Sequence, residues 1–212
     1  ERNVAIGNSA LANQNNTSQN AIYNTAVGNN AGLSVTTGVN NTLMGGLAGD
    51  ALTDADENVA LGFSALTSDT LGSKTVAVGR GALAAQNFTS ATDSYNTAVG
   101  YNAGLSVTTG VNNTLIGGLA GDAFTEGSDN TAMGRSALTN DTTGSRSVAI
   151  GNYSLTTQNG TTGNVYNTAI GYSAGTAITT GLNNTIVGGL AGDALTDADR
   201  NVAVGRSALT SD

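Results

Sequence analysis

Two clusters of acidic residues have the spacing of side chains that could bind a metal ion. The first cluster is Asp50, Asp54 and Asp56, and the second is Asp193, Asp197 and Asp199. Carboxylate oxygens suit Ca²⁺, and the string GGLAGD at the start of each cluster is similar to the calcium-binding nonapeptide GGxGxD. The spacing differs from that nonapeptide and the string is not in tandem, so a solvated turn is the alternative interpretation.

Side chains that commonly act as nucleophiles, bases or zinc ligands are missing from the sequence. It contains no His and no Cys, which removes the common nucleophile–base pairs and the preferred zinc ligands. Paired carboxylates of the glycosidase kind are the catalytic alternative, but no pattern in the sequence shapes a sugar cleft. We therefore predict that the protein is not an enzyme and uses no cofactor.

Charge and hydropathy argue against nucleic-acid and membrane partners. The formal net charge is −8, with only seven Lys and Arg residues, whereas binding to phosphates or to anionic lipids requires clustered cations. No apolar run approaches the roughly 20 residues of a membrane-spanning helix. We predict neither nucleic-acid binding nor membrane insertion.

Aromatic residues are scarce, at 4%, and three of them end the longest connecting segments. These segments are residues 12–23, 84–95 and 156–166, which end at Tyr23, Tyr95 and Tyr166. Because loops on a rigid scaffold often carry binding, each Tyr is a candidate receptor contact, with packing over the longer turn as a cap as the alternative. Phe88 and Tyr153 are further candidates for contact with a host glycan or protein.

A five-residue phrase recurs twelve times along the whole chain. It consists of a polar residue, Val or Thr, a usually small residue, an aliphatic residue and Gly, as in NVAIG from Asn3 and NTAVG from Asn24. The closing glycines are Gly7, Gly28, Gly45, Gly62, Gly79, Gly100, Gly117, Gly134, Gly151, Gly171, Gly188 and Gly205. Successive glycines are 17 residues apart, except for steps of 21, 21 and 20 residues after Gly7, Gly79 and Gly151. The sequence therefore predicts one unit, 1–212, made of three four-coil blocks at 1–72, 73–144 and 145–212.

The phrase predicts a short β-strand in each coil. Its Val/Thr and aliphatic positions are two residues apart and share one strand face, while the residue between them points to the other face. A second strand is expected at segments such as FSAL from Phe63, and Gly-, Asp- and Asn-rich connectors suit the turns. We predict an all-β fold, a single-chain parallel β-roll (β-solenoid) of twelve coils of about 17 residues.

Two further expectations concern how such a roll is held together. The Asn residues that open most phrases are predicted to stack, either as a ladder of side-chain amides or simply as turn formers. A coil with only two or three large apolar side chains buries little surface, so we expect association with other rolls. The face that carries Ala26, Ala60 and Ala98 is predicted to be the surface of close approach.

The repeats resemble a known family of surface proteins. NVAIGNSA at 3–10, TVAVGRGA at 75–82 and SVAIGNYS at 147–154 are similar to head repeats of trimeric autotransporter adhesins, the YadA-like family. NTAIGYSAG at 167–175 also resembles repeats of phage and viral tail fibres. The resemblance implies a left-handed roll, a homotrimer of parallel chains and a role in adhesion, and it supplies no catalytic residues.

These observations lead to two functional hypotheses. The first is a non-catalytic structural or adhesive segment of an extracellular surface fibre, on a virion or a bacterial cell, that contacts a host glycan or protein. The second is an ice- or calcium-binding solenoid of an extracellular adhesin. The ice hypothesis rests on the recurring TTG strings at Thr36, Thr108 and Thr179, although Thr does not recur there in every coil.

Overall fold

The computed structural model of the protein describes residues 2–15, 22–159 and 162–210, and their regular structure is entirely β. The strands are β1 (Val4–Ile6), β2 (Thr25–Val27), β3 (Thr42–Met44), β4 (Val59–Leu61), β5 (Gly72–Ser73), β6 (Val76–Val78), β7 (Thr92–Asp93), β8 (Thr97–Val99), β9 (Thr114–Ile116), β10 (Thr131–Met133), β11 (Gly144–Ser145), β12 (Val148–Ile150), β13 (Gly163–Asn164), β14 (Thr168–Ile170), β15 (Thr185–Val187) and β16 (Val202–Val204). Among the described residues no helix is long and apolar enough to cross a membrane.

Twelve three-residue strands, one from each phrase, form a single parallel sheet. Its order follows the chain from β1 to β16 and leaves out only the two-residue strands, which pair separately as β5 with β7 and β11 with β13. The pairing is in register with the phrases, so that Ala5 lies opposite Ala26 and Ile6 opposite Val27. The predicted parallel β-solenoid and its aliphatic column are therefore confirmed, with twelve stacked strands joined by eleven coils.

The middle residue of each strand points into the solenoid. Ala26, Ala60 and Ala98 are fully buried, and so are Leu43 and Leu115, which take the same position in the third coil of a block. The expectation that this Ala face meets another roll is therefore wrong. Within one chain the remainder of each coil already covers it, and it forms the core.

In the coils where the middle residue of the strand is large, the residue four places after the closing glycine is itself a glycine. The residue four places after the closing glycine is Leu66 or Leu83 in some coils and Gly49 in others. Where it is Gly49, a Cβ atom there would lie 2.8 Å from side-chain atoms of both Leu43 and Leu52. Protein interiors are packed to crystal-like density. The side chains of Leu43 and Leu52 therefore leave room only for a glycine at position 49.

The predicted second strand is a turn-rich segment instead. In the coil that follows β4, Ser64 and Leu66 both have φ of 55°, a left-handed conformation that costs a non-glycine residue roughly 1–2 kcal/mol. With this backbone, Ser64 N donates a hydrogen bond of 3.0 Å to Gly46 O in the preceding coil. Leu66 N donates one of 3.0 Å to Ala82 O in the next coil. The backbone is thus paired in both directions without a regular strand, and Leu66 still reaches the core.

The Asn residues that open the phrases form a buried ladder. Asn41 accepts a 2.9 Å bond from the backbone N–H of Asn58 at Oδ1 and donates from Nδ2 to Ala55 O at 2.8 Å. Asn113 does the same with Asn130 N and Gly127 O. The ladder runs mainly through side-chain-to-backbone bonds rather than amide-to-amide bonds, so each Asn both forms a turn and fastens one coil to the next.

Candidate functional site

The outward face of the twelve-stranded sheet is the most extended surface feature of the described chain. It carries two columns, one of Thr or Val at the first strand position and one of aliphatic residues at the third. The aliphatic column is Ile6, Val27, Met44, Leu61, Val78, Val99, Ile116, Met133, Ile150, Ile170, Val187 and Val204. Away from the ends of the stack, Val99 and Met133 remain 36% and 38% exposed.

This outward face is neutral as well as apolar. Its twelve strands contain no charged residue, and at about 4.8 Å per strand the columns extend for roughly 50 Å. Soluble monomers seldom expose large continuous apolar patches, which usually mark an interaction surface. A regular face of this kind suits contact with another surface of matching periodicity.

Tyr23, Tyr95 and Tyr166 lie on the surface beside a cation from the preceding coil. Their side chains are 50%, 55% and 48% exposed, and the Lys74 Nζ atom lies 5.4 Å from the ring centroid of Tyr95. Arg2 and Arg146 take equivalent places over Tyr23 and Tyr166, at 5.6 and 5.8 Å. The rings are therefore accessible and do not form buried caps over the longer turns. Residues 16–21 and 160–161 of the first and third connectors lie outside the described residues.

The second of these pairs includes an exposed carboxylate. Lys74 Nζ donates to Asp93 Oδ2 at 2.5 Å and to Tyr95 Oη at 3.4 Å. The hydrogen bond to Asp93 is the main cause of a raised pKa of Lys74, and in turn the bond from Lys74 lowers the pKa of Asp93. Because both groups are exposed to water, this pair contributes little to stability.

The structure separates the other two predicted contact residues. Phe88 is only 5% exposed, so its role as a receptor contact is contradicted; its ring packs above Gly72, and its backbone N–H bonds to Asp69. Tyr153 is half-buried, with its ring edge-on to Tyr172 at a centroid distance of 6.2 Å and beneath Arg135. Tyr153 therefore belongs to a surface aromatic cluster, and its receptor contact stays a prediction.

Three exposed aromatic residues were missed by the sequence analysis. Phe63, Tyr101 and Tyr172 are each more than half exposed, and each directly follows a closing glycine. The same position holds Arg80, whose guanidinium lies 5.9 Å from the ring centroid of Phe63 and 5.6 Å from that of Tyr101. The signal that could have revealed this row was its fixed place one residue after the glycine.

The acidic residues proposed as calcium ligands are used one at a time. Asp50 accepts a bond from Thr67 Oγ1 at 2.6 Å, Asp56 from Val39 N at 2.7 Å and Asp199 from Leu182 N at 2.7 Å. Asp54 accepts a hydrogen bond from Thr37, and Asp197 accepts one from Thr196. The buried Oδ1 atom of Asp193 has no hydrogen-bond partner among the described residues. No group of three acidic side chains that could hold a metal occurs in the described residues. Calcium binding there stays an untested prediction.

The Thr residues of the TTG strings are occupied within the solenoid. Thr36 Oγ1 donates to Thr53 O at 3.2 Å, and Thr108 and Thr179 make equivalent bonds to the next coil. These hydroxyls therefore serve coil stacking rather than a free Thr surface. Free-standing Thr columns lie elsewhere, on the outward face, at the first position of seven of the twelve strands.

Buried polar networks mark the places where one four-coil block meets the next. Gln86 Nε2 donates to Asp69 Oδ2 at 2.6 Å and to Thr75 Oγ1 at 3.1 Å, and its Oε1 accepts from Asn96 at 2.8 Å. Asp141 and Gln158 repeat this arrangement 72 residues later. Since every member is hydrogen-bonded, these networks hold the longer coil in place.

The geometry thus offers a neutral sheet face and a row of exposed aromatic and cationic side chains, both on a rigid scaffold. Comparison of the chain with protein-family models, with curated proteins and with solved structures gave no match.

Proposed function

We propose that the protein is a non-catalytic structural and adhesive segment of an extracellular surface fibre, belonging to a phage, a virus or a bacterial trimeric adhesin. In this proposal three copies associate side by side as a homotrimer. The observation that carries it is the neutral outward face of the sheet, which runs unbroken along all twelve strands. The resemblance of the phrases to YadA-like head repeats supports the same function.

A second copy of the chain is the occupant that best fits this face. The columns repeat at the strand spacing over their whole length, and only another object with the same spacing can match them at every step. A second, parallel copy has the same strand spacing because it has the same sequence and fold. The gain is cumulative, because burial of apolar surface contributes about 25 cal/mol per Å², and a partner would cover every coil rather than one site.

The test is the native mass in solution together with a charge placed on the face. We expect wild-type chains of 20.9 kDa to run at three times that mass. The double variant Val99→Lys with Met133→Lys should run as a monomer, since two buried ammonium groups oppose association. The matched control Thr109→Lys with Thr180→Lys, at exposed turn positions, should keep the wild-type mass. A wild-type monomer at micromolar concentration would refute the proposal.

Ice binding is the second candidate, and the Thr columns of the outward face favour it. Thr25, Thr42 and Thr97 stand beside aliphatic residues on a flat and regular surface. Association and ice binding require the same face, so they exclude each other. Thermal hysteresis in a monomeric wild-type sample would support ice binding, and its absence in such a sample would remove this candidate.

A further inference from the structure

A surface cleft lies beside the cluster that Phe63, Arg80 and Tyr101 form. It measures about 220 Å³ and is lined by Phe63, Ser64, Arg80, Gly81, Ala84, Asn102 and Leu105. Sites that enclose drug-sized ligands measure roughly 300–1,000 Å³, so this cleft suits a smaller unit such as one sugar ring. Three successive coils contribute to it, which fixes its walls through the inter-coil hydrogen bonds.

Gly81 lines the cleft, and a Cβ atom there would lie within clashing distance of Oδ1 of Asn102. The equivalent position, two residues after the closing glycine, holds Ser9 in the first block and Tyr153 in the third. All three have positive φ, at 56°, 67° and 62° for Ser9, Gly81 and Tyr153, so the backbone does not demand glycine there. In the third block the Tyr153 ring takes this space against Tyr172. The second block alone combines an open floor with aromatic walls.

The chemistry of the cleft is cationic in a chain of net charge −8. Arg80 lies between the rings of Phe63 and Tyr101. The one hydrogen bond of its guanidinium among the described residues is a long one of 3.4 Å from Nη1 to Tyr101 Oη. Arg80 forms no ion pair with any described residue. A guanidinium held in this way offers further donors, and a carboxylate is a group with which such a fork of donors pairs bidentately.

The remaining walls suit the ring and hydroxyls of a sugar. Phe63 and Leu105 supply apolar surface against which the C–H face of a pyranose can pack, and the Asn102 amide and Ser64 hydroxyl can both donate and accept hydrogen bonds. We propose that this cleft binds the terminal unit of an acidic glycan, with the sugar carboxylate on Arg80. The inference deepens the proposed adhesive function and rests on it, because it names the ligand class of the fibre.

Saturation-transfer NMR with glucuronate, galacturonate and N-acetylneuraminate as probes tests this proposal, with glucose as the neutral comparison. We expect at least one acidic sugar to bind at least tenfold more tightly than glucose. Arg80→Gln should abolish that preference. The matched control Arg135→Gln, which removes an equally exposed Arg beside Tyr153, should leave it unchanged. Equal binding of glucose, no binding of any acidic probe, or an equal effect of both variants would overturn the proposal.

Two filling variants separate loss of the cleft from loss of the fold. Gly81→Ser reproduces the combination of Ser9 and Asn30 in the first block, and Gly81→Tyr with Asn102→Ser reproduces Tyr153 and Ser173 in the third. Both should keep the wild-type native mass and a cooperative unfolding transition, with a somewhat lower midpoint because a non-glycine residue then adopts the φ of 67°, while they lower acidic-sugar affinity at least tenfold. Full affinity in these variants would also overturn the proposal. If the native mass is trimeric and no sugar binds, the fibre proposal stands and only the ligand assignment fails.

Discussion

Gln158 Nε2 donates a hydrogen bond of 2.5 Å to Oδ2 of Asp141, a carboxylate buried between two blocks of the solenoid. Gly144 N donates to the other oxygen at 2.9 Å. The burial raises the pKa of Asp141, and the hydrogen bonds from Gln158 and the backbone oppose this rise only in part. The junction thus holds an acid whose charged form is less favourable in the folded chain than in the unfolded one.

Stability should therefore increase on mild acidification through Asp141. Because its pKa is raised on folding, the contribution of this group is fully present below the pKa of the unfolded carboxyl and is lost as pH rises through the folded pKa. In Asp141→Asn the group no longer titrates. We expect the thermal midpoint of wild type minus that of Asp141→Asn to grow as pH is lowered from 7 to 4.

The control for this experiment is Asp197→Asn, which removes an equal charge at an exposed position. The difference in thermal midpoint between wild type and Asp197→Asn should not increase from pH 7 to pH 4 as it does for Asp141→Asn. A constant difference for Asp141→Asn, or one that shrinks towards pH 4, contradicts the assignment of a destabilising buried charge.

Replacement of one ladder Asn should destabilise the solenoid clearly. Asn113→Ala leaves Asn130 N and Gly127 O without their side-chain partners in a buried site. Each unsatisfied buried group costs about 1–3 kcal/mol, so urea unfolding should show a loss of about 2–5 kcal/mol. Thr109→Ala, at an exposed turn of the same coil, should change stability by less than about 0.5 kcal/mol. Equal unfolding curves for the two variants would show that the ladder does not hold the coils.

The closing glycines should not tolerate a side chain. Gly117 has φ of 131°, and a Cβ atom there would lie 2.6 Å from both C and O of Gly134 in the next coil. That conformation is essentially restricted to glycine, and the clash is with backbone that is fixed by inter-coil bonds. We expect Gly117→Ala to lower the soluble yield strongly. Circular dichroism should also show a strongly lowered unfolding midpoint.

Its neighbour supplies the control for that substitution. A Cβ atom on Gly118 would meet only Tyr101 O, at 4.0 Å, so Gly118→Ala should fold like wild type. If the two variants share one midpoint, close backbone approach at the closing glycine is not what sets the coil spacing.

The sequence predicted the stack and its register because both depend on exact recurrence. The side of the sheet that forms the core was not predicted, since a strand that alternates Ala with Val has two plausible faces. The deciding signal was present at Leu43 and Leu115, where a large apolar residue replaces the usual Ala and opposes Gly49 or Gly121. A strand position at which a larger side chain is accompanied by a glycine nearby must lie in the core, because only packed positions require such compensation.

The candidate sites were harder to predict than the fold. The position of Phe88 holds Asn16 and Gly160 in the other blocks, so no recurring apolar residue indicated that Phe88 is buried. The cleft at Gly81 depends on residues from three coils, and only a comparison of Gly81 with Ser9 and Tyr153 reveals it. Repetition predicts what all coils share, whereas a binding site here arises where one coil departs from the others.

The uniform register between coils has a consequence for how such a chain can change over generations. Residues 23–52 and 95–124 are nearly identical in sequence, and the two strands within each stretch pair in the same parallel register. Unequal recombination between two such stretches adds or deletes 72 residues. The strands on either side of the new junction then pair in the same parallel register as before. The solenoid can thus be lengthened or shortened by whole four-coil blocks. A cleft that occurs in one block is gained or lost together with that block.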